Sequence, residues 1–357
     1  MKSSFFFSLP VMALFLAVAP SALADTMLYV NGVNGNDDKT CLSPETACKT
    51  IGHAISLASS GDSIIVAPAI YTENLTIAIN LNIIGSGAST TIIDGGGAGR
   101  VVTNSGLVHL SQITIRHGYT ESGNPVAVYG GGMYNSGTLT IDKSIVSGNA
   151  TQCFRGWVCP SWGGGIYNAG LLTITNSTIS GNAAIGHLGG SQGGGIYNRY
   201  SLTITNSTIS GNGAGRGGGI YNSGGLTINS STISGNNGGG IFGSATWQNS
   251  IVANGANNCS GRVSSNGYNL SSDKTCNFSG PGDLNNIDPK LGPLQNNGGP
   301  TQTQALLSGS PAIDAGTPSG CTDGQGNLLK TDQRGMPRPD HEDKSGCDMG
   351  AYESQSD

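Results

Sequence analysis

Between Ser122 and Gly255 the chain carries a single carboxylate, Asp142. A calcium site built from clustered acids, or a pair of acids for hydrolysis, needs several carboxylates close together, and that stretch cannot supply them. Other features are equally sparse. Charged residues are 10% and aromatics 6% of the chain, and proline is 14 of 357. No basic patch recommends nucleic acid or anionic lipid as a partner. There is no CxxC, and the five histidines are scattered, so a metal centre finds little support. Beyond the N-terminus no apolar run is long enough to span a bilayer, so no membrane span is expected in the mature chain.

Glycine is abundant, 59 of 357 residues. A G-X-Y period is missing, which excludes collagen. Ile, Leu and Val alternate along the middle of the chain, which excludes disorder. The net charge of −5 belongs to the C-terminal part. From Asp273 onward twelve acids face six bases. The mature chain up to Arg262 is balanced, nine against nine.

Residues 1–24 read as a signal peptide: Lys2, then the apolar run Phe5 to Ala19, then Ala22-Leu23-Ala24 as a small-x-small cleavage site. Cleavage near Ala24 predicts a secreted protein, extracellular or periplasmic. In that oxidising setting the eight cysteines predict disulfides between near neighbours: Cys41/Cys48, Cys153/Cys159, Cys259/Cys276 and Cys321/Cys347. Spacing alone does not prove the pairing, and metal binding is the rival reading.

Four blocks of twenty residues align without gaps, starting at Gly130, Gly163, Gly193 and Gly217, and a degenerate fifth starts at Gly238. They repeat the phrase GGGIYN…LTITNSTISGN. The inserts between them shrink from 13 residues to 10, 4 and 1. Short period-2 runs separated by Gly and Asn predict strands, not helix. One block suits one coil of an all-β solenoid, a single-stranded right-handed parallel β-helix, with coils stacked about 4.8 Å apart. Ile166, Leu172, Ile174 and Ile179 share one parity and should point inward, as should Ile196, Leu202, Ile204 and Ile209. Asn168, Asn198 and Asn222 should stack at one turn, and Asn182, Asn212 and Asn236 at another. Weaker strands precede the repeat. A short amphipathic helix over Lys49–Ser59 is expected to cover the open end. The boundaries expected are 25–60 for a cysteine-containing N-terminal cap, 61–282 for the β-helix and 283–357 for an acidic module closing the other end.

The run Gly61-Asp62-Ser63-Ile64-Ile65-Val66-Ala67-Pro68, followed by Tyr71-Thr72-Glu73-Asn74, resembles the first coil of bacterial pectin-lyase-like β-helix proteins. The repeats are faintly similar to those of polymorphic outer membrane proteins. The segments Asp288–Leu294, Asn297–Thr301, Gly309–Gly316, Asp332–Gly335 and Cys347–Glu353 resemble the choice-of-anchor Q module. That module often precedes a sorting tail. Here the chain ends four residues after Glu353, which favours a released or periplasmic protein. The resemblance implies an architecture and leaves activity open.

Tyr134, Tyr167, Tyr197, Tyr221 and Phe242 share one register. Parity turns them outward, in a stripe that could stack on sugar rings beside Trp157, Trp162 and Arg199, unless the rings merely stabilise the stack. Arg155, His187 and Arg216 in or beside the inserts are the candidates for a metal-independent lyase. The array Thr173/Thr175 and Thr203/Thr205 resembles those of ice-binding proteins, though Thr is also simply a good strand residue. Asn74, Asn176 and Asn206 begin glycosylation-like sequons. Asp340, Glu342 and Asp343 are the candidates for a metal such as calcium, against a plain solvated loop. No cofactor is otherwise expected. The leading expectation is an extracellular or cell-surface scaffold that binds polysaccharide without catalysis. A polysaccharide lyase or epimerase on acidic polysaccharide, and a structural envelope protein, are the alternatives.

Overall fold

The computed structural model describes residues 26–122, 127–154, 159–186, 190–255, 257–340 and 346–355; the expected signal peptide lies outside them. Each repeat block winds once. In the block from Gly163, strands Ile166–Asn168, Leu171–Thr175 and Thr178–Ser180 follow one another around a coil. Their counterparts in the next coil pair parallel and in register: Ile166 with Ile196, Leu172 with Leu202, Ile179 with Ile209. Stacking the coils builds three long sheets. Sheet A has ten strands from Met27–Val30 to Val263–Ser265, sheet B ten from Ala69–Thr72 to Leu284–Asn285, and sheet C eight from Leu75–Ile77 to Cys259–Ser260. The molecule is a right-handed parallel β-helix, and nearly all of its regular structure is strand.

The expected parity holds. Ile166, Leu172, Ile174, Ile179 and their equivalents Ile196, Leu202, Ile204 and Ile209 are at most 2% exposed and form one continuous core. Each such side chain contributes roughly 1.5–3 kcal/mol of burial. Both asparagine ladders are present. The Asn168 amide donates to the Asn198 side-chain oxygen, and that of Asn198 to Asn222, at 2.7 Å each. Asn182, Asn212 and Asn236 repeat the pattern at 2.9 and 3.0 Å. Asn198 also donates to the Gly225 carbonyl at 2.8 Å. Asn198→Ala would therefore remove buried hydrogen bonds to both neighbouring coils, while Asn168 keeps the Gly170 and Ser201 carbonyls and Asn222 Oδ1 keeps the Gly224 amide. We expect a loss of about 2–3 kcal/mol in urea unfolding; a loss below 0.5 kcal/mol would show that water replaces the ladder.

A third column of turn residues lies between sheets A and B. Asn176 and Asn206 adopt φ of 49° and 51°, a left-handed conformation that asparagine tolerates. Asn206 is 2% exposed and its amide donates to Asn176, so this sequon serves the turn.

The described parts of the two longer inserts add short rungs to the stack. Tyr119–Ser122, Ala150–Cys153 and Ala183–Ile185 pair as one small parallel sheet, and Val128–Tyr129, Ser161–Trp162 and Ser191–Gln192 as another. Ser161 Oγ donates to Thr151 Oγ1 at 2.7 Å between these limbs, and the Cys153–Cys159 disulfide ties them together. The other three expected disulfides, Cys41–Cys48, Cys259–Cys276 and Cys321–Cys347, are also present. Every cysteine is thereby bonded to another, and the rival metal reading of the eight thiols is set aside.

The helix is shorter than expected, Ile51–Leu57, with Thr50 as its N-cap. Ile51 and Ala54 are fully buried at the N-terminal end of the core. Glu73 caps the helix from the first coil: its carboxylate accepts from the Ile51 and Gly52 amides at 2.9 and 2.7 Å. The winding starts before the helix, because Met27–Val30 pairs in register with Ser63–Val66.

The far end differs from expectation. Trp247 takes an inward isoleucine position in sheet A and is fully buried. Phe278 packs against it edge-on at 5.5 Å and closes the core. Cys276 stands in no strand, in the irregular stretch between Leu270–Ser271 and Leu284–Asn285, two paired strands of sheet B. Its bond to Cys259, on the last strand of sheet C, draws that stretch inward. Cys276 is therefore 2% exposed and joins Phe278 in the apolar plug that ends the core.

The segment after 283 is not a lid. It runs back along the outer face of sheet B. Thr178 donates to the Gln302 carbonyl at 2.6 Å, Thr208 to Gln333 Oε1 at 2.6 Å, and the Ala351 amide to Thr232 at 3.1 Å. The polar outer face of sheet B, with Thr178, Thr208 and Thr232 all buried, offered these partners and the end of the stack did not.

Candidate functional site

The outer face of sheet C carries the expected aromatic stripe. Tyr134, Tyr167, Tyr197, Tyr221 and Phe242 stack with centroids 5.4, 5.1, 5.0 and 4.9 Å apart and planes within 8° of parallel. They point outward because the Ile or Met before them, and the Asn after Tyr134, Tyr167, Tyr197 and Tyr221, fill the core. The inserts overhang them: Trp162 stacks on Tyr197 at 5.2 Å and Tyr129 meets Tyr167 edge-on at 4.8 Å. Tyr167 is 3% and Tyr197 8% exposed. The ring faces that were expected to receive sugar are thus occupied by one another. Guanidinium groups lie over both ends of the ladder, Arg100 at 5.1 Å from Tyr134 and Arg216 at 5.7 Å from Phe242.

Burial raises the pKa of the Tyr167 phenol, and a hydrogen bond from Arg199 opposes the rise. Arg199 itself is exposed. Arg155, Trp157 and His187 lie outside the described residues, as do Glu342 and Asp343. Asp340 is buried, which a solvated loop did not predict. Among the described residues one group of His, Cys and carboxylate atoms has metal-ligand proximity, Cys41, Cys48 and His53, and its two sulfurs are bonded to each other. No helix among these residues is long and apolar enough to cross a membrane.

The acids of the winding act as local acceptors. Asp62 receives the Thr26 and Ser59 amides, Asp142 the side chains of Thr175 and Asn176, and Asp283 those of Ser265 and Asn269. None of these carboxylates is aimed at another.

Sheet A presents an open face. Thr140, Thr173, Thr203, Thr227 and Thr246 are in register on five successive strands, all half-buried. Thr140 and Thr227 flank the two-coil array as the sequence indicates, and Thr246 extends the column by one strand. The neighbouring column is covered: Thr205 and Asn229 donate to the Asp323 carbonyl and are 4% and 1% exposed. A flat two-column threonine plane is therefore absent. In its place a groove of about 300 Å³ runs between Thr173, Thr203 and the loop carrying Asp323, Gln325 and Leu329.

Nearer the corner with sheet C, a cleft of about 250 Å³ is lined by Gly225, Ser244, Thr246, Arg262 and Ser264. Gly225 opens it. The same column holds Thr138, Leu171 and Ser201 in earlier coils. Neither φ nor crowding demands glycine at 225, since a Cβ there would meet nothing nearer than the Tyr200 carbonyl at 3.8 Å. Tyr200, 60% exposed, stands at this corner beside Arg199. Sequence reasoning missed it, though a signal existed: Tyr200 replaces the glycine found at 137, 170 and 224 of the other coils.

No family model matches the chain. No curated protein matches it either. Solved structures do. Pectate lyase Pel9A is 13% identical with a TM-score of 0.44, over 93% of this chain and 97% of that one. A pectin methylesterase variant in complex with a hexasaccharide is 14% identical with a TM-score of 0.33, over 67% and 82%. At that identity the winding alone is shared, and no residue role passes from them.

Proposed function

We propose that this protein is an extracellular or periplasmic β-helix scaffold that holds a carbohydrate chain or cell-surface component on the outer face of sheet A, without transforming it. The observation that carries the reading is the cleft at Gly225, a position where the repeat gives up a side chain with no backbone need to do so. Its walls carry groups that polar sugars use, the exposed Arg262 and the hydroxyls of Ser244, Thr246 and Ser264, and the exposed Tyr200 stands on the neighbouring coil, where its carbonyl faces Gly225. The threonine column and the Asp323 groove extend this polar track along the stack.

The test is Gly225→Leu, which borrows the residue of Leu171 and fills the cleft. We expect unchanged thermal stability and loss of retention on polysaccharide columns, with calcium or chelator present. Retention that survives Gly225→Leu but fails in Tyr167→Ala would place the ligand on the aromatic flank instead. Unsaturated or shortened products from any polysaccharide would replace holding by catalysis.

A further inference from the structure

Four successive coils leave sheet B through the pair Ser-Gly: Ser147-Gly148, Ser180-Gly181, Ser210-Gly211 and Ser234-Gly235. These glycines have φ of 61–68°, a left-handed conformation in which a Cβ is disfavoured. The preceding coil breaks the rule. Arg116 pairs in register with Ser147, so Arg116-His117 stands where the others have Ser-Gly, and His117 takes φ of 52°. Below them in register lies Asp94, 8% exposed. Its Oδ2 accepts from Arg116 Nε at 2.8 Å and meets His117 Nδ1 at 3.0 Å. Its Oδ1 accepts the Gly96 amide at 2.9 Å. A strained backbone, held by a buried carboxylate, presents two nitrogen groups outward.

Arg116 lines a groove of about 340 Å³ between the outer face of sheet B and the segment 296–302, with Thr114, Ser147, Asn296, Thr301 and Gln302 in its walls, and His117 stands next to it on the shared Asp94 carboxylate. Arg116 is its only charged lining residue. Among the described residues, Arg116 bonds through Nε alone, which leaves its Nη groups for a ligand. The His117 side chain is 56% exposed, and its Nδ1 contact leaves Nε2 without a partner among the described residues.

We propose that this groove receives the anionic group of an acidic sugar, a carboxylate or a sulfate ester, with Arg116 as the receptor and His117 as a second, proton-dependent cation. The inference goes beyond the sheet A cleft, which lies on another face. The charge arithmetic gives the pH dependence. Asp94 and Arg116 cancel, so the cluster is neutral while His117 is neutral and gains one positive charge when the imidazole is protonated. Asp94 and Arg116 are the charged groups facing His117, and Gly148 of the next coil lies alongside its ring. Affinity for an anion therefore rises when the His117 imidazole takes up a proton.

The experiment titrates the mature protein calorimetrically with a glucuronate-bearing disaccharide, a sulfated disaccharide and a neutral one, at pH about 5.5 and about 8. At least one acidic probe should bind roughly tenfold more tightly at the lower pH, the worth of one charge-assisted hydrogen bond. Which probe binds identifies the anion. Two variants use the repeat's own residues. Arg116→Ser should abolish binding at both pH values. His117→Gly should keep the affinity of the higher pH, lose the pH dependence, and hold or raise the melting temperature. Binding of neither acidic probe, equal binding of the neutral sugar, unchanged affinity in Arg116→Ser, or a pH dependence that persists in His117→Gly would each overturn the assignment. Retention lost in Gly225→Leu reports on the other face and leaves this outcome untouched.

Discussion

Arg338→Leu is expected to cost about 3–5 kcal/mol and to loosen the C-terminal segment from the winding. Arg338 Nε donates to Glu353 Oε2 at 2.7 Å, and both side chains are completely buried. Nη1 of the same guanidinium donates to Asn206 Oδ1 at 3.1 Å, so one residue ties the segment to itself and to a turn of the β-helix. Asp348 and Glu353 lie together here, and removing Arg338 takes away the cation that faces both carboxyl groups away from water. Guanidinium chloride unfolding with hydrogen exchange checks this. The segment from 283 should lose protection before the inward residues of sheets A and B do. Arg338→Leu combined with Glu353→Leu should recover most of the loss, because an apolar pair replaces a buried ion pair at little net cost. Wild-type protection in Arg338→Leu would mean that the threonine contacts on sheet B alone hold the segment.

The same cluster should make stability fall as pH rises from about 4 to about 7. Asp348 is 1% exposed, and its carboxyl is pushed up to about 7, first by burial and then by the charge of Glu353; backbone amides of Ser354 and Asp314 and the charge of Arg338 oppose the rise. The folded state therefore holds a proton that the unfolded chain releases at the ordinary aspartate value. The contribution is fully present below that value and is lost as pH climbs through about 7. Its full size is on the order of 4 kcal/mol. Asp94, Asp273 and Asp323 are shifted downward by hydrogen bonds from their neighbours, so they act in the opposite direction and only at lower pH. The measurement is urea unfolding from about pH 4 to 8, compared between wild type and Asp348→Asn. The difference between the two proteins should change across that window and be flat above it. Parallel curves would show that Asp348 stays ionised in the folded protein.

Much of the winding could be read from the chain. Ile166, Leu172, Ile174 and Ile179 announce their direction because a strand alternates faces and the repeat aligns without gaps. The asparagine ladders follow from the same alignment, since equal positions in successive coils must lie side by side. The cysteine pairs were legible from proximity, although the place of Cys276 in the core plug was not, because nothing local marks a residue outside the strands as inward. The aromatic stripe was legible in direction but not in exposure: Tyr167 and Tyr197 are covered by Tyr129 and Trp162, which lie outside the twenty-residue blocks. The cleft at Gly225 was hidden because a glycine-rich chain gives no warning of which glycine is structurally unnecessary. The C-terminal segment hid more. Its motifs Asp332–Gly335 and Cys347–Glu353 stand apart in the chain, yet the Arg334 guanidinium donates to the Glu353 carbonyl and the Glu353 amide to Asp332 at 3.1 Å.

The amino-acid sequence by itself determined the parallel β-helix, its core parity and its turn ladders, because these depend on local period and on the equivalence of neighbouring coils. Tertiary structure alone decided where the C-terminal segment lies, which tyrosines keep water contact, and that Asp94 meets Arg116 and His117 from the coil above. Those outcomes depend on which polar face finds partners across long stretches of chain, and no local period encodes that.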